Sequence, residues 1–148
     1  MLPPIAAAWD QWRNNPPEWG QGAKGFDRRL ASGFACDILA HTLKTGFAAV
    51  DHEDPRHSPS KLHGTWPRAR YAFIHTFVSP TDGGGRTFAY SSVVGSYGAA
   101  FITNAWYPAP YATVGHALGR GTSFLAIGVL VNEIREFSPD VSKWFHHN

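Results

Sequence analysis

The sequence predicts an all-α protein: a single compact bundle of about four main helices, with short helices at the N- and C-terminal ends. Two observations carry this. Apolar residues recur with the helical period, as in Phe26, Leu30, Phe34 and Ile38, and again in Val114, Leu118, Leu125 and Val129. Helix breakers fall between the periodic stretches: Asn14-Asn15-Pro16-Pro17, Ser79-Pro80 and Tyr107-Pro108-Ala109-Pro110. A chain of 148 residues fits one domain, 1–148, and is long enough to bury a core without staples.

Residues 1–25 form a segment rich in proline and tryptophan, expected to pack on the body through Trp9, Trp12 and Trp19. Within it, Ala6 to Arg13 reads as a short helix. The first main helix is predicted over Gly25 to Val50, with Leu43, Phe47 and Val50 continuing its stripe. Residues 51–66 read as a loop. The second helix runs from Pro67 to about Val78, with proline in the first turn, where its missing N–H costs nothing. The third covers Phe88 to Trp106, with an apolar stripe of Tyr90, Val94, Tyr97 and Phe101. Ser91, Gly95, Gly98 and Ala99 give it a small-residue face. The fourth covers Thr113 to Phe137, and Ser138-Pro139-Asp140 is expected to cap a last short helix. Strand is expected to be nearly absent.

Composition excludes several classes. Cys36 is the single cysteine, so there is no intramolecular disulfide and no cysteine-based zinc site. The formal charge is +2, and Lys and Arg occur singly or in pairs rather than as a basic stripe, which argues against nucleic acid as a partner. No Gly-x-Ser-x-Gly occurs, which excludes an ordinary α/β-hydrolase. The N-terminus has neither a basic start nor a long apolar run, so no signal peptide is read there.

Thr87 to Gly119 is 33 residues without Lys, Arg, Asp or Glu, which raises membrane insertion. Its Ser, Thr, Gly and Pro content weighs against a span. So does the overall mean hydropathy of −0.25. Gly121 to Asn132 is 12 residues, too short to span alone. The expectation is a soluble bundle, with a membrane surface or an envelope protein as candidate partner.

The residues left over by folding are polar. His52-Glu53-Asp54-Pro55-Arg56-His57 concentrates groups that ligate metals, and His52, Asp54 and His57 are the candidate ligands. The spacing is not the His-Glu-x-x-His helix pattern, so an ion-pair network is the plainer reading. Glu53 and Asp54 would pair with arginines such as Arg56, Arg68 or Arg70. Arg120, between Gly119 and Gly121 in an apolar helix, needs a partner or a ligand, and a carboxylate such as Asp54 is the expected one. Glu53, Asp54, Arg56 and Arg120 are therefore the candidate binding residues. Cys36, inside an apolar helix, reads as a small hydrophobe. The sequence does not specify a cofactor or an oligomeric state.

Five motifs together carry a resemblance: Pro17-Glu18-Trp19-Gly20-Gln21-Gly22, His52-Glu53-Asp54-Pro55-Arg56, Tyr90-Ser91, Gly119-Arg120-Gly121 and Glu136-Phe137-Ser138-Pro139-Asp140. From about Pro16 onward the chain resembles an uncharacterised family of exported bacterial proteins. The resemblance implies a periplasmic or envelope location and no particular activity. At His57 the relatives tend to carry an aromatic residue. The expected function is an envelope-associated helical structural or binding protein. The alternative is a small metal-dependent hydrolase using His52, Glu53 and Asp54.

Overall fold

The structure, a computed structural model, describes residues 2–53, 64–81 and 84–146, with residue 75 and residues 139–146 described by backbone alone. It is mostly helical. Helix α1 spans Pro3–Trp12, α2 Gly22–Val50, α3 Thr65–Phe77, α4 Tyr90–Ile102 and α5 Val114–His146. Short 3-10 turns lie at Pro17–Trp19, Thr103–Ala105 and Ala109–Tyr111. Strands β1 (Val78–Pro80) and β2 (Arg86–Phe88) form a small antiparallel hairpin, with Val78 opposite Phe88 and Pro80 opposite Arg86.

Helix α4 is the centre of the bundle. It packs on α2 and on α5, while α1 lies on α2 and α3 lies on α5. The contact with α2 is close because α4 presents glycine there. A Cβ on Gly95 would stand 2.8 Å from the Ala40 carbonyl oxygen and 2.9 Å from Lys44 Cβ. On the other side, Gly121 of α5 meets the ring of Tyr97, whose hydroxyl is 3.0 Å from Thr122 Oγ1. Such glycines let two backbones approach and replace large-side-chain packing with broad close contact.

The N-terminal segment folds back on α2. Pro3 and Pro4 open α1 at positions where no intrahelical N–H is needed. After α1 the chain reverses through Asn14, at φ 52°, and a cis Asn15–Pro16 peptide. Gly20, at φ 73°, ends the following 3-10 turn in a backbone region that side chains disfavour.

Three expectations change. The fourth helix does not stop at Ser138: α5 continues through Pro139 to His146 as one element. Helix α4 is shorter than predicted. Its 13 residues reach only about 20 Å at the helical rise, so the long uncharged stretch is not one span. Among the described residues, the helix long and apolar enough to cross a membrane is instead α5, over Val114–Ser138. Gly121 to Asn132 looked too short because Arg120 and Glu133 bound it, whereas the helix runs through both.

The third change concerns which way the helices face. The expected core stripe of α2 is only partly inward: Phe26, Leu30 and Leu43 are half-buried, whereas Phe34, Ile38, Phe47 and Val50 are exposed, Ile38 by 65% and Val50 by 77%. The buried face is Gly25, Arg29, Ser32, Cys36 and Ala48. In α4 the buried residues are Ser91, Gly95, Ala99 and Ala100, while Tyr90 and Phe101 are exposed.

Candidate functional site

The interior of the described residues is built from small and polar side chains. Its fully buried apolar residues are alanines and Cys36, apart from Pro3 and Pro16. Arg29, Ser32, Glu53, Thr76, Ser79, Ser91, Thr103 and Glu136 are buried with them. A buried polar group is costly unless it is bonded. The bonds of the charged residues show what each one does.

Glu53 lies just past the end of α2, where the backbone passes through Asp51 and His52, the latter at φ 54°. Its N–H donates to the Ala48 carbonyl at 3.0 Å, and its backbone bridges to Thr81 beside the hairpin. The carboxylate points inward and accepts the Ser91 hydroxyl at 2.6 Å and the Ser91 N–H at 3.3 Å. Helix α4 has no side-chain cap of its own at Ala89, so Glu53 caps it from another element. The carboxylate also sits at the positive end of the α4 dipole. The expected pairing of Glu53 with an arginine is therefore corrected: its partner is Ser91, a residue read only as part of a small face. Asp54, Arg56, His57 and His63 lie outside the described residues. His52 is exposed, and no group of three His, Cys, Asp or Glu side chains able to hold a metal occurs among the described residues.

Arg120 has no carboxylate partner among the described residues. Its guanidinium donates to the Tyr111 carbonyl at 3.1 Å, to the Ala100 carbonyl at 3.4 Å and to the side-chain oxygen of Asn104. It stacks 4.4 Å from the centre of the Tyr107 ring. Its Nε is buried without a hydrogen-bond partner. Arg120 thus ties the start of α5 to the end of α4 and the turns between them. The flanking glycines serve different ends: Gly121 admits the Tyr97 ring, and Gly119 faces open space.

Two further arginines hold the fold: Arg29, which the sequence did not single out, and Arg68, which it offered as a partner of the acidic loop. Arg29, only 3% exposed, donates to four acceptors in the N-terminal segment. These are the carbonyls of Asn15 at 2.9 Å, Pro16 at 2.9 Å and Gly20 at 2.8 Å, and Gln11 Oε1 at 2.6 Å. Arg68 of α3 reaches Glu136 of α5 with Nε 3.0 Å from the carboxylate, and Nη2 donates to the Glu136 backbone oxygen. Its guanidinium lies 4.7 Å over the Phe137 ring. Arg68 is thereby paired with Glu136 rather than with Glu53. Neither contact has a sequence signal beyond the charges themselves, since each joins residues far apart in the chain.

Burial pushes the Cys36 thiol up to about 11, so it is not a thiolate near neutral pH and is no nucleophile there. Burial likewise raises the Tyr107 phenol.

The outer surface complements this interior. Within the α5 stretch that is long and apolar enough to cross a membrane, only 11% is buried inside the protein. Val114, Leu118, Leu130 and Ile134 are exposed on it, Ile134 by 67%. At the tryptophan-rich end, Trp19 lies against Tyr107 with ring centres 4.9 Å apart, and the Trp106 indole N–H donates to Ser32 Oγ at 2.9 Å. Between these elements runs an open groove of about 510 Å³ lined by Trp19, Arg28, Ala31, Ser32, Ala35 and Trp106.

No known family model, no curated protein and no solved structure matches this chain.

Proposed function

We propose that the chain is a membrane-associated helical protein of the bacterial envelope, acting by binding or packing rather than by catalysis, with α5 in contact with lipid acyl chains. One observation carries this reading: residue size is inverted between inside and outside. Alanine, glycine, serine and hydrogen-bonded charged residues make up the fully buried positions, while many Phe, Ile, Leu and Val side chains are exposed. In water, burial of large apolar groups drives folding, so such an arrangement forgoes much of the driving force. In a bilayer the lipid is as apolar as leucine, helices associate through small residues in close contact, and polar groups bond to one another inside.

The length of α5 supports the same reading. Val114–Ser138 is 25 residues, about 38 Å at the helical rise, against about 30 Å of hydrocarbon. Inward-bonded Arg120 lies near its start, and Glu133, exposed Arg135 and inward-bonded Glu136 cluster near its finish. On α2, the exposed His41 stands 3.9 Å from Asp37, which marks the part of that helix turned away from hydrocarbon. The resemblance to exported bacterial proteins supports the envelope location.

The test is fractionation of expressed protein followed by an alkaline carbonate wash. Retention in the membrane pellet after the wash is the expected result. Full recovery as a monodisperse species without detergent would overturn the reading.

A further inference from the structure

The groove at the tryptophan-rich end is not accounted for by the folding contacts. Its floor is one face of α2: Arg28 and Ser32 are one turn apart, as are Ala31 and Ala35. Its walls are Trp19 and Trp106, held respectively by contact with the Tyr107 ring and by a hydrogen bond from the indole N–H to the Ser32 hydroxyl on the floor. Neighbouring Arg29 is saturated by four acceptors, whereas Arg28 has no hydrogen bond, ion pair or ring contact with any described residue. Glu18 and Asp27, its acidic neighbours in sequence, do not line the groove.

We propose that this groove seats the headgroup of an anionic phospholipid, with Arg28 bonding the phosphate and the two indoles at headgroup depth. This rests on the membrane-associated reading above. Charge complementarity selects the occupant: an uncompensated guanidinium lining a groove with no other charged residue favours a ligand with net negative charge, and guanidinium bonds phosphate bidentately. The aromatic walls select the depth. Tryptophan is enriched where hydrocarbon meets headgroups, because its ring is amphipathic. Trp9 and Trp12 of α1, both exposed and with tilted rings 5.1 Å apart, lie in the N-terminal segment that Arg29 ties to the start of α2.

The experiment uses the full chain reconstituted in phosphatidylcholine vesicles, with tryptophan fluorescence quenched by brominated phosphatidylglycerol or by brominated phosphatidylcholine at equal fraction. The expected result is stronger quenching by the anionic lipid. Arg28→Gln should lower its apparent affinity about fivefold, the worth of one basic residue at an anionic surface, and leave quenching by phosphatidylcholine unchanged. Arg28→Lys, which keeps the charge, should retain most of the preference and guards against a variant that fails to reconstitute. Added inorganic phosphate should not reverse the quenching. Equal quenching by both lipids, unaltered in Arg28→Gln, would overturn the groove proposal while leaving membrane association standing, and is also what a groove filled by a second copy would give. Reversal by inorganic phosphate would overturn the lipid as ligand. Absence of quenching by either lipid would overturn the membrane-associated reading, and the groove proposal with it.

Discussion

Glu53 caps helix α4 through Ser91, whose hydroxyl and backbone N–H both donate to its carboxylate. The pair joins residues 38 apart and fixes the exit of α2 to the entry of α4. Glu53→Ala and Ser91→Ala should each destabilise the fold by about 1–3 kcal/mol, because each leaves a buried polar group unmet. Glu53→Gln should cost less than Glu53→Ala, since the amide oxygen still accepts one bond. The double substitution should cost clearly less than the sum, read from denaturant unfolding in detergent. Additive losses would contradict the pair.

Arg29 should hold the N-terminal segment in place. Its planar fork meets four acceptors that a lysine ammonium cannot all reach. Arg29→Lys should leave buried carbonyls unmet at about 1–3 kcal/mol each. Hydrogen exchange should rise in α1 and around Asn15–Gly20 before it rises in α4. Unchanged protection there would show that α1 is held by apolar contact with α2 instead.

The helical character and the four main helices are legible in the sequence, because the period of the apolar residues survives whatever medium surrounds them. Phe34 and Ile38 mark a face of α2 correctly, but period alone does not say whether that face meets a core or lies outside. Ser32 and Cys36, one turn apart on the buried face, carry no amphipathic signal against such neighbours. Glu53 and Arg120 stand out as charges needing partners, and the partners found are a serine and a set of carbonyls with Asn104. These have no sequence pattern, since any exposed backbone can accept. The Arg68–Glu136 pair escapes for a different reason: its partners are 68 residues apart, and nothing local couples them.

Glycine substitutions separate close packing from open surface. Gly95→Ala places a methyl 2.8 Å from the Ala40 carbonyl oxygen, a backbone atom with little freedom to move. It should destabilise by about 1–3 kcal/mol, the usual cost of overpacking. A Cβ at Gly119 meets nothing within 4 Å, so Gly119→Ala should stabilise by about 0.5–1 kcal/mol through helix propensity. Equal effects at the two sites, measured side by side in thermal unfolding, would contradict the close α2–α4 contact.

Asp10 gives the fold a pH dependence with a definite sign. Burial raises its carboxyl above the ordinary 3.8, and the Asn15 hydrogen bond and the charges of Arg29 and Arg13 offset this only in part. The ionised form is the one disfavoured in the fold. Below 3.8 the group is neutral in both folded and unfolded chains and costs nothing. As pH rises from 3.8 through the raised native value, the unfolded chain releases its proton first and stability falls. Asp10→Asn should therefore be more stable than the parent at neutral pH, and the difference should vanish on acidification below 3.8. A difference that grows on acidification would reverse the sign and contradict the account.

The central claim is that the exposed apolar residues of α5, Leu118 near its start and Leu130 and Ile134 near its end, are covered by lipid. Its most direct test is site-directed spin labelling in reconstituted vesicles. Cysteine is placed in turn at Leu118, Leu130 and Ile134, and at exposed His41 on α2 as a comparison, with Cys36→Ala removing the native thiol. The account predicts high collision rates with oxygen and low rates with a water-soluble nickel complex at the three α5 positions, and the opposite balance at His41. High access to the nickel complex at Leu130 and Ile134 would place those side chains in water and contradict it.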